Sequence, residues 1–162
     1  MKWVLSLLCL LAGCAREPAD KMVKPVTAAQ LLDAVRAPGA RAVLVNVYAT
    51  WCGPCKEEFP DLVKLEQNYR VKGLRMIFVS ADDEDNMPAV KQFLAKQGVT
   101  YPTFLKAQKD MEFINGLDSR WDGSLPATLL YDGAGKQRDF WVGMKDYKTF
   151  EDKLKPILEE KP

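Results

Sequence analysis

The chain has 162 residues, 48% of them hydrophobic and 28% charged. That is enough apolar material for one packed domain and argues against a disordered chain. Lys plus Arg (23) nearly cancels Asp plus Glu (22), and a net charge of +1 leaves no electrostatic footprint for nucleic acid. The sequence contains no His, which excludes Ser-His-Asp and Cys-His catalysis, His-ligated metals and haem attachment through Cys-x-x-Cys-His. Proton transfer falls to carboxylates, Lys, Tyr, Cys or water.

In chain order, Lys2 is a short basic start, and Trp3 to Ala12 is an apolar stretch too short to span a bilayer, which needs about 20 residues, but long enough for a signal h-region. It ends Leu11-Ala12-Gly13-Cys14, which resembles the lipobox of bacterial lipoproteins. The resemblance implies cleavage before Cys14 and acylation of its sulfur, with residues 1–13 as signal peptide. The alternatives are an ordinary secretory signal with an incidental Cys, or a buried helix. Two or three acyl chains meet the requirement for stable anchoring. Ala15, in place of Asp, favours the outer membrane of a Gram-negative cell under the lipobox sorting rule. Cys9 then leaves with the signal, so Cys52 and Cys55 are the remaining thiols, in a compartment where disulfides persist.

Residues 14–26 read as the lipidated Cys and a tether, and residues 27–162 as the domain. Thr27-Ala28-Ala29-Gln30 is a capping box opening a helix with Leu31, Leu32 and Val35 inward, ended by Pro38-Gly39. Ala42 to Ala49 is a Val-rich run interrupted only by Asn46 and predicts a buried central strand. A helix follows from about Pro54 to Val71, then a second buried strand from Leu74 to Ser80. Pro88 to Gln97 reads as a helix with Asn86 as N-cap and Gly98 just past its end. Thr103 to Lys106 is a short strand. Residues 108–125 hold one helical turn or two before a Gly/Asp/Ser loop. Ala127–Tyr131 and Arg138–Val142 flank Asp132-Gly133-Ala134-Gly135 as a hairpin. Asp146 caps a last amphipathic helix, which Pro156 should bend or shorten. The order α-β-α-β-α-β-α-β-β-α specifies an α/β layer fold with a central mixed sheet flanked by helices.

The chemistry lies in Trp51-Cys52-Gly53-Pro54-Cys55. Two Cys separated by two residues, between a buried strand and a helix, form a redox-motif context. Cys52 falls at the helix N-terminus, where free amides and the macrodipole favour an anion and lower the thiol pKa. Pro54 fits the first turn, where no N–H is needed. Cys55 lies one turn inward and resolves the mixed disulfide. Zinc needs further ligands that this chain lacks, and a structural disulfide closing so small a loop stabilises little.

The segment Val45-Asn46-Val47-Tyr48-Ala49-Thr50-Trp51-Cys52-Gly53-Pro54-Cys55-Lys56-Glu57-Glu58-Phe59-Pro60 resembles the active-site segment of the thioredoxin superfamily. It is most similar to the TlpA/ResA-like, membrane-tethered, extracytoplasmic thiol-disulfide oxidoreductases. Pro60 matches their kink-forming proline. Ser124-Leu125-Pro126-Ala127-Thr128-Leu129-Leu130-Tyr131-Asp132 resembles their cis-proline loop and strand, and Gly143 also fits. The resemblance covers about residues 28–160 and implies a thioredoxin fold with a TlpA/ResA-type insertion after the second core strand.

What it implies for the site is specific. Pro126 as a cis bond brings Leu125 beside Cys52, where its backbone could pair with an extended substrate; a trans Pro ending a loop is the alternative. Glu58, three residues after Cys55 on the same helix face, matches a glutamate of ResA-like proteins and serves as base for Cys55, or else is a solvated first-turn acid, as Glu57 is expected to be. Trp51 covers the disulfide or is core. Tyr48 packs beneath the site. Asp82-Asp83-Glu84-Asp85 lacks the EF-hand pattern and reads as a solvated loop. Trp121 and the 116–125 loop rim the substrate groove or pack as a surface loop.

The expected function is reduction of protein disulfides by the Cys52/Cys55 dithiol, with an upstream membrane thiol donor, no bound cofactor, no metal and no nucleic acid. The resemblance implies cytochrome c maturation as one destination. A disulfide oxidant or isomerase on the same scaffold, and a non-catalytic tethered binding module, are the rivals. The expected setting is the bacterial cell envelope, lipid-anchored and facing the periplasm, as a monomer.

Overall fold

The computed structural model describes residues 22–160. Cys9, Cys14, Ala15 and the rest of the expected signal and anchor lie outside the described residues. The elements run β1 (Val23–Val26), α1 (Ala28–Arg36), β2 (Ala42–Tyr48), α2 (Gly53–Tyr69), β3 (Leu74–Ser80), α3 (Met87–Lys96), β4 (Thr103–Lys106), α4 (Asp110–Leu117), β5 (Ala127–Asp132), β6 (Gln137–Val142) and α5 (Tyr147–Glu159). The sheet order is β1-β4-β3-β2-β5-β6. The first four strands in that order pair in parallel, and β2–β5 and β5–β6 pair antiparallel.

β2 sits centrally and is buried along its whole length, which explains why its sequence is a continuous apolar run rather than an alternating one. Ala42, Leu44 and Tyr48 face one core with Cys55, Phe59 and Leu62 of α2, Val90 and Leu94 of α3, and Phe150 and Leu154 of α5. Val43, Val45 and Val47 face the second core with Leu31 and Val35 of α1 and Phe113, Ile114 and Leu117 of α4. The result is three layers, helix–sheet–helix, with the carboxyl end of β2 opening onto α2. The segment carrying α3 and β4 follows the second core strand β3 and widens the sheet on that side.

Several boundaries differ from the sequence reading. The expected tether over residues 14–26 includes a strand: β1 pairs with β4 from Val23↔Thr103 to Val26↔Lys106. Its two inward residues, Val23 and Val26, are separated by exposed Lys24 and Pro25, and Pro is tolerated there because β1 is an edge. Thr27 makes both bonds of its capping box. Asn86 makes no side-chain cap for α3; a 3₁₀ turn at Glu84–Asn86 leads into the helix instead. Gly98 closes α3 at φ +72°, a conformation that favours glycine. Residues 108–125 contain α4, eight residues long. α5 runs past Pro156 to Glu159 and is not shortened there. No helix among the described residues is long and apolar enough to cross a membrane.

Candidate active site at the amino end of α2

β2 ends at Tyr48, and a tight turn closed by the Cys52 amide donating to the Ala49 carbonyl (3.2 Å) delivers the chain to α2. Cys52 is the N-cap residue in an extended conformation, with Pro at the first positions of the helix. Its sulfur accepts the Cys55 amide at 3.2 Å, one of the amides that a helix start leaves unpaired. Cys52 and Cys55 are joined as a disulfide, with an S–S distance of 2.05 Å and a Cα separation of 5.3 Å. Cys52 keeps 6% of its surface exposed and Cys55 none. An incoming reagent therefore meets Cys52 first.

Glu58 is turned inward, 2% exposed, whereas neighbouring Glu57 is exposed. The solvated alternative for Glu58 is thereby set aside. Asn46, the one polar residue of β2, donates from Nδ2 to Glu58 Oε1 at 2.8 Å and to Thr128 Oγ1 at 3.1 Å. The Lys145 amide donates to Glu58 Oε2 at 3.0 Å. Burial is the dominant influence and pushes the Glu58 carboxyl up to about 7; the Lys145 and Asn46 hydrogen bonds oppose it without cancelling it. Glu58 also lines a groove of about 470 Å³ with Glu57, Asp61 and residues 144–146. Asn46 Oδ1 is buried and meets no hydrogen-bond partner.

The Leu125–Pro126 bond is cis. The antiparallel register Val47↔Ala127 places Pro126 just ahead of the first residue of β5, next to the carboxyl end of β2, the same end of the sheet as the Cys52 turn. Leu125 is half-buried and packs against both cores. The Gly143 amide donates to the Pro126 carbonyl at 2.8 Å. Trp51 is 67% exposed, so it is not core. Trp121 is buried and donates from Nε1 to the Ser124 carbonyl at 2.8 Å; it braces the loop leading into Pro126 from below. Tyr48 packs edge-on against Phe59, ring centroids 5.0 Å apart. Burial pushes its hydroxyl well above the usual range, with Asp82 adding to the effect.

Sequence reasoning missed Asp82. Read as the first of four solvated acids, it is instead 1% exposed and hydrogen-bonded to Thr50 and Ser80. Its signal was position: it lies two residues past a buried strand that ends in Ser80. Thr128 was missed as well; it lies in register with Asn46.

Sheet order, helix-capping cysteines and cis-proline loop define a thioredoxin-fold protein with a dithiol/disulfide centre. The redoxin family profile matches residues 19–135, and the chain belongs to that family. It is 31% identical over 117 residues to the thiol-disulfide oxidoreductase ResA of Bacillus anthracis, a match covering 72% of this chain and 64% of that one. The chain thus spans less than two thirds of the length of the curated relatives it matches. Among solved structures it resembles a thioredoxin-family thiol:disulfide interchange protein from Chlorobium tepidum (TM-score 0.64, 27% identity, 78% of this chain and 83% of that one). A thiol-disulfide isomerase from Corynebacterium glutamicum shares the fold (TM-score 0.66, 21% identity, 80% and 86% covered).

Proposed function

We propose that the protein is a thiol-disulfide oxidoreductase that reduces protein disulfides outside the cytoplasm. The observation that carries this reading is the Cys52–Cys55 disulfide at the start of α2, with Cys52 as the N-cap and slightly exposed and Cys55 fully buried. In the dithiol form, the Cys52 thiolate attacks a substrate disulfide. A Cys52–substrate bond forms, the substrate S–S bond breaks, and the leaving sulfur takes up the electron pair and a proton. Cys55 loses its proton and displaces the substrate, which leaves as a thiol, and the Cys52–Cys55 bond closes. A membrane dithiol donor upstream returns the centre to its reduced state.

Glu58 takes the proton from Cys55 in the resolving step. Its place one turn along α2 on the Cys55 face supports this role, as does a carboxyl poised near neutrality and opening on a surface groove. Trp51, Leu125 and the cis Pro126 form the substrate-contacting rim, Leu125 offering its backbone to an extended segment. The chemistry needs no cofactor or metal, and the chain works as a monomer. The lipobox-like run ending at Cys14 supports a lipid anchor in the bacterial envelope facing the periplasm, with Ala15 favouring the outer membrane. Cytochrome c maturation is one destination that the family resemblance suggests.

Trapping tests the assignment: Cys55→Ser should accumulate mixed disulfides on Cys52. If none accumulate while Cys52→Ser does trap partners, the order of attack is reversed. Redox titration against glutathione should give a potential near about −270 mV, as for reducing members of the fold; about −120 mV would make the protein an oxidant.

A further inference from the structure

Asp82 is the first of four consecutive acids, and the other three, Asp83, Glu84 and Asp85, are exposed. Both oxygens of the buried carboxylate accept. Oδ2 takes the Thr50 amide at 2.8 Å and the Ser80 hydroxyl at 2.5 Å, and Oδ1 takes the Thr50 hydroxyl at 2.6 Å. The Asp82 amide donates in return to Ser80 Oγ at 3.0 Å. One residue earlier, the Ala81 amide donates to the Tyr48 carbonyl at 2.7 Å. Thr50 is the second residue of the turn that closes from Ala49 to Cys52. It lies past the last residue of β2, so no ladder partner awaits its amide, and a buried amide without a partner is costly. The Ser80–Asp82 segment therefore holds the approach to Cys52 at Tyr48 and again at Thr50.

We propose that Asp82 is a positioning residue for the redox step: by tying down Thr50 it fixes the turn that keeps the Cys52 sulfur at the amino-terminal tip of α2. The proposal rests on the reading of Cys52 as attacking thiol. Position matters because the influence of a helix terminus fades within one turn, so a turn that wanders takes the sulfur away from the amides that favour its anion. Asp82 acts through Thr50 and touches no reacting atom.

The test uses the reduced full chain. Alkylation of Cys52 by iodoacetamide, followed by peptide mass mapping from about pH 5 to 10, reads its pKa; equilibration with glutathione reads the potential. Asp82→Ala should raise the Cys52 pKa and slow its alkylation at pH 7 about tenfold, the equivalent of roughly one pKa unit. Thr50→Val, which loses the hydroxyl bond but keeps the amide, should shift it less. Asp82→Asn, which retains an acceptor for the Thr50 amide and can donate to the hydroxyl, should recover most of the wild-type profile. A wild-type profile in Asp82→Ala overturns the proposal. So does equal acceleration in Asp82→Ala and Asp82→Asn, which marks loss of a nearby charge rather than of a brace. Should Asp82→Ala fail to fold, an unshifted Thr50→Val overturns it. Insulin reduction by the wild-type protein is measured alongside. Failure there removes the activity reading while leaving the Cys52 comparison to judge Asp82.

Discussion

Glu58 and Asp118 are both buried carboxylates, on opposite sides of the central sheet, and they are pushed in opposite directions. Glu58 projects from α2 among neutral donors, an amide side chain and a backbone N–H, and burial drives it up to about 7. Asp118 follows α4 and accepts from the Arg120 guanidinium (2.6 Å), the Arg120 backbone N–H (2.9 Å) and the Gln137 side-chain Nε2 (2.6 Å). Those bonds, the Arg120 side chain first, hold its carboxyl well below the usual carboxylate range. The lesson is that burial alone does not decide a carboxylate's behaviour; the charge of its donors does. An acid bonded only to neutral donors, with the Lys145 charge too weak to offset its burial, is ready to move a proton, and one clamped by a guanidinium is a structural pin.

The two acids should differ most in kinetics. Glu58→Gln keeps the shape but cannot take a proton, and resolution of the mixed disulfide should slow by about 100-fold, with loss of the pH dependence near neutrality. Rapid-quench measurement of the Cys55 step checks this. Asp118→Asn should leave that step untouched.

The second effect is in stability against pH, and the two residues should show opposite signs. Glu58 has a folded pKa raised from 4.5 to about 7, so the folded state binds more protons than the unfolded state across that window. Stability falls as pH rises from about 4.5 to 7, by about 3 kcal/mol in all, and Glu58→Gln removes the slope. Asp118 is lowered from 3.8, so its contribution is present above that value and lost as pH falls through the acid range. Thermal unfolding of wild type and both variants from about pH 3 to 8 separates the two.

At neutral pH, Asp118→Asn should cost about 1–2 kcal/mol, because hydrogen bonds to a charged group are weakened where Arg120 is itself partly solvated. Denaturant unfolding measures it. The smallest stability change belongs to Trp51→Ala: the side chain is largely exposed, so unfolding should shift by no more than about 0.5 kcal/mol, while KM for a protein disulfide rises. An unchanged KM removes Trp51 from the substrate rim.

Much of this arrangement was legible in the sequence, for reasons that differ by residue. β2 and β3 announced themselves because strands buried on both faces need unbroken apolar runs. Thr27 and Asp146 marked helix starts because their side chains do local work on the next turn, and both caps are made. Cys52, Cys55 and Pro126 were found from motif and order. β1 stayed hidden because Lys24 and Pro25 erase any alternation and its partner β4 lies about eighty residues on. Asp82 was lost in a run of acids because the contacts that bury it, the distant Thr50 and the Ser80 hydroxyl, leave no mark in the acidic run itself. The split between Glu57 and Glu58 depended on helix phase, which the spacing from Cys55 did carry.

The placement of β1 has a mechanical consequence. It is the outermost strand, three ladders away from β2, or about 14 Å at the usual strand spacing. A pull along the chain ahead of residue 22 enters the domain at that rim and loads the four β1–β4 residue pairs first. The amino-terminal tip of α2, which follows the central strand β2, lies several ladders from where such a force would act.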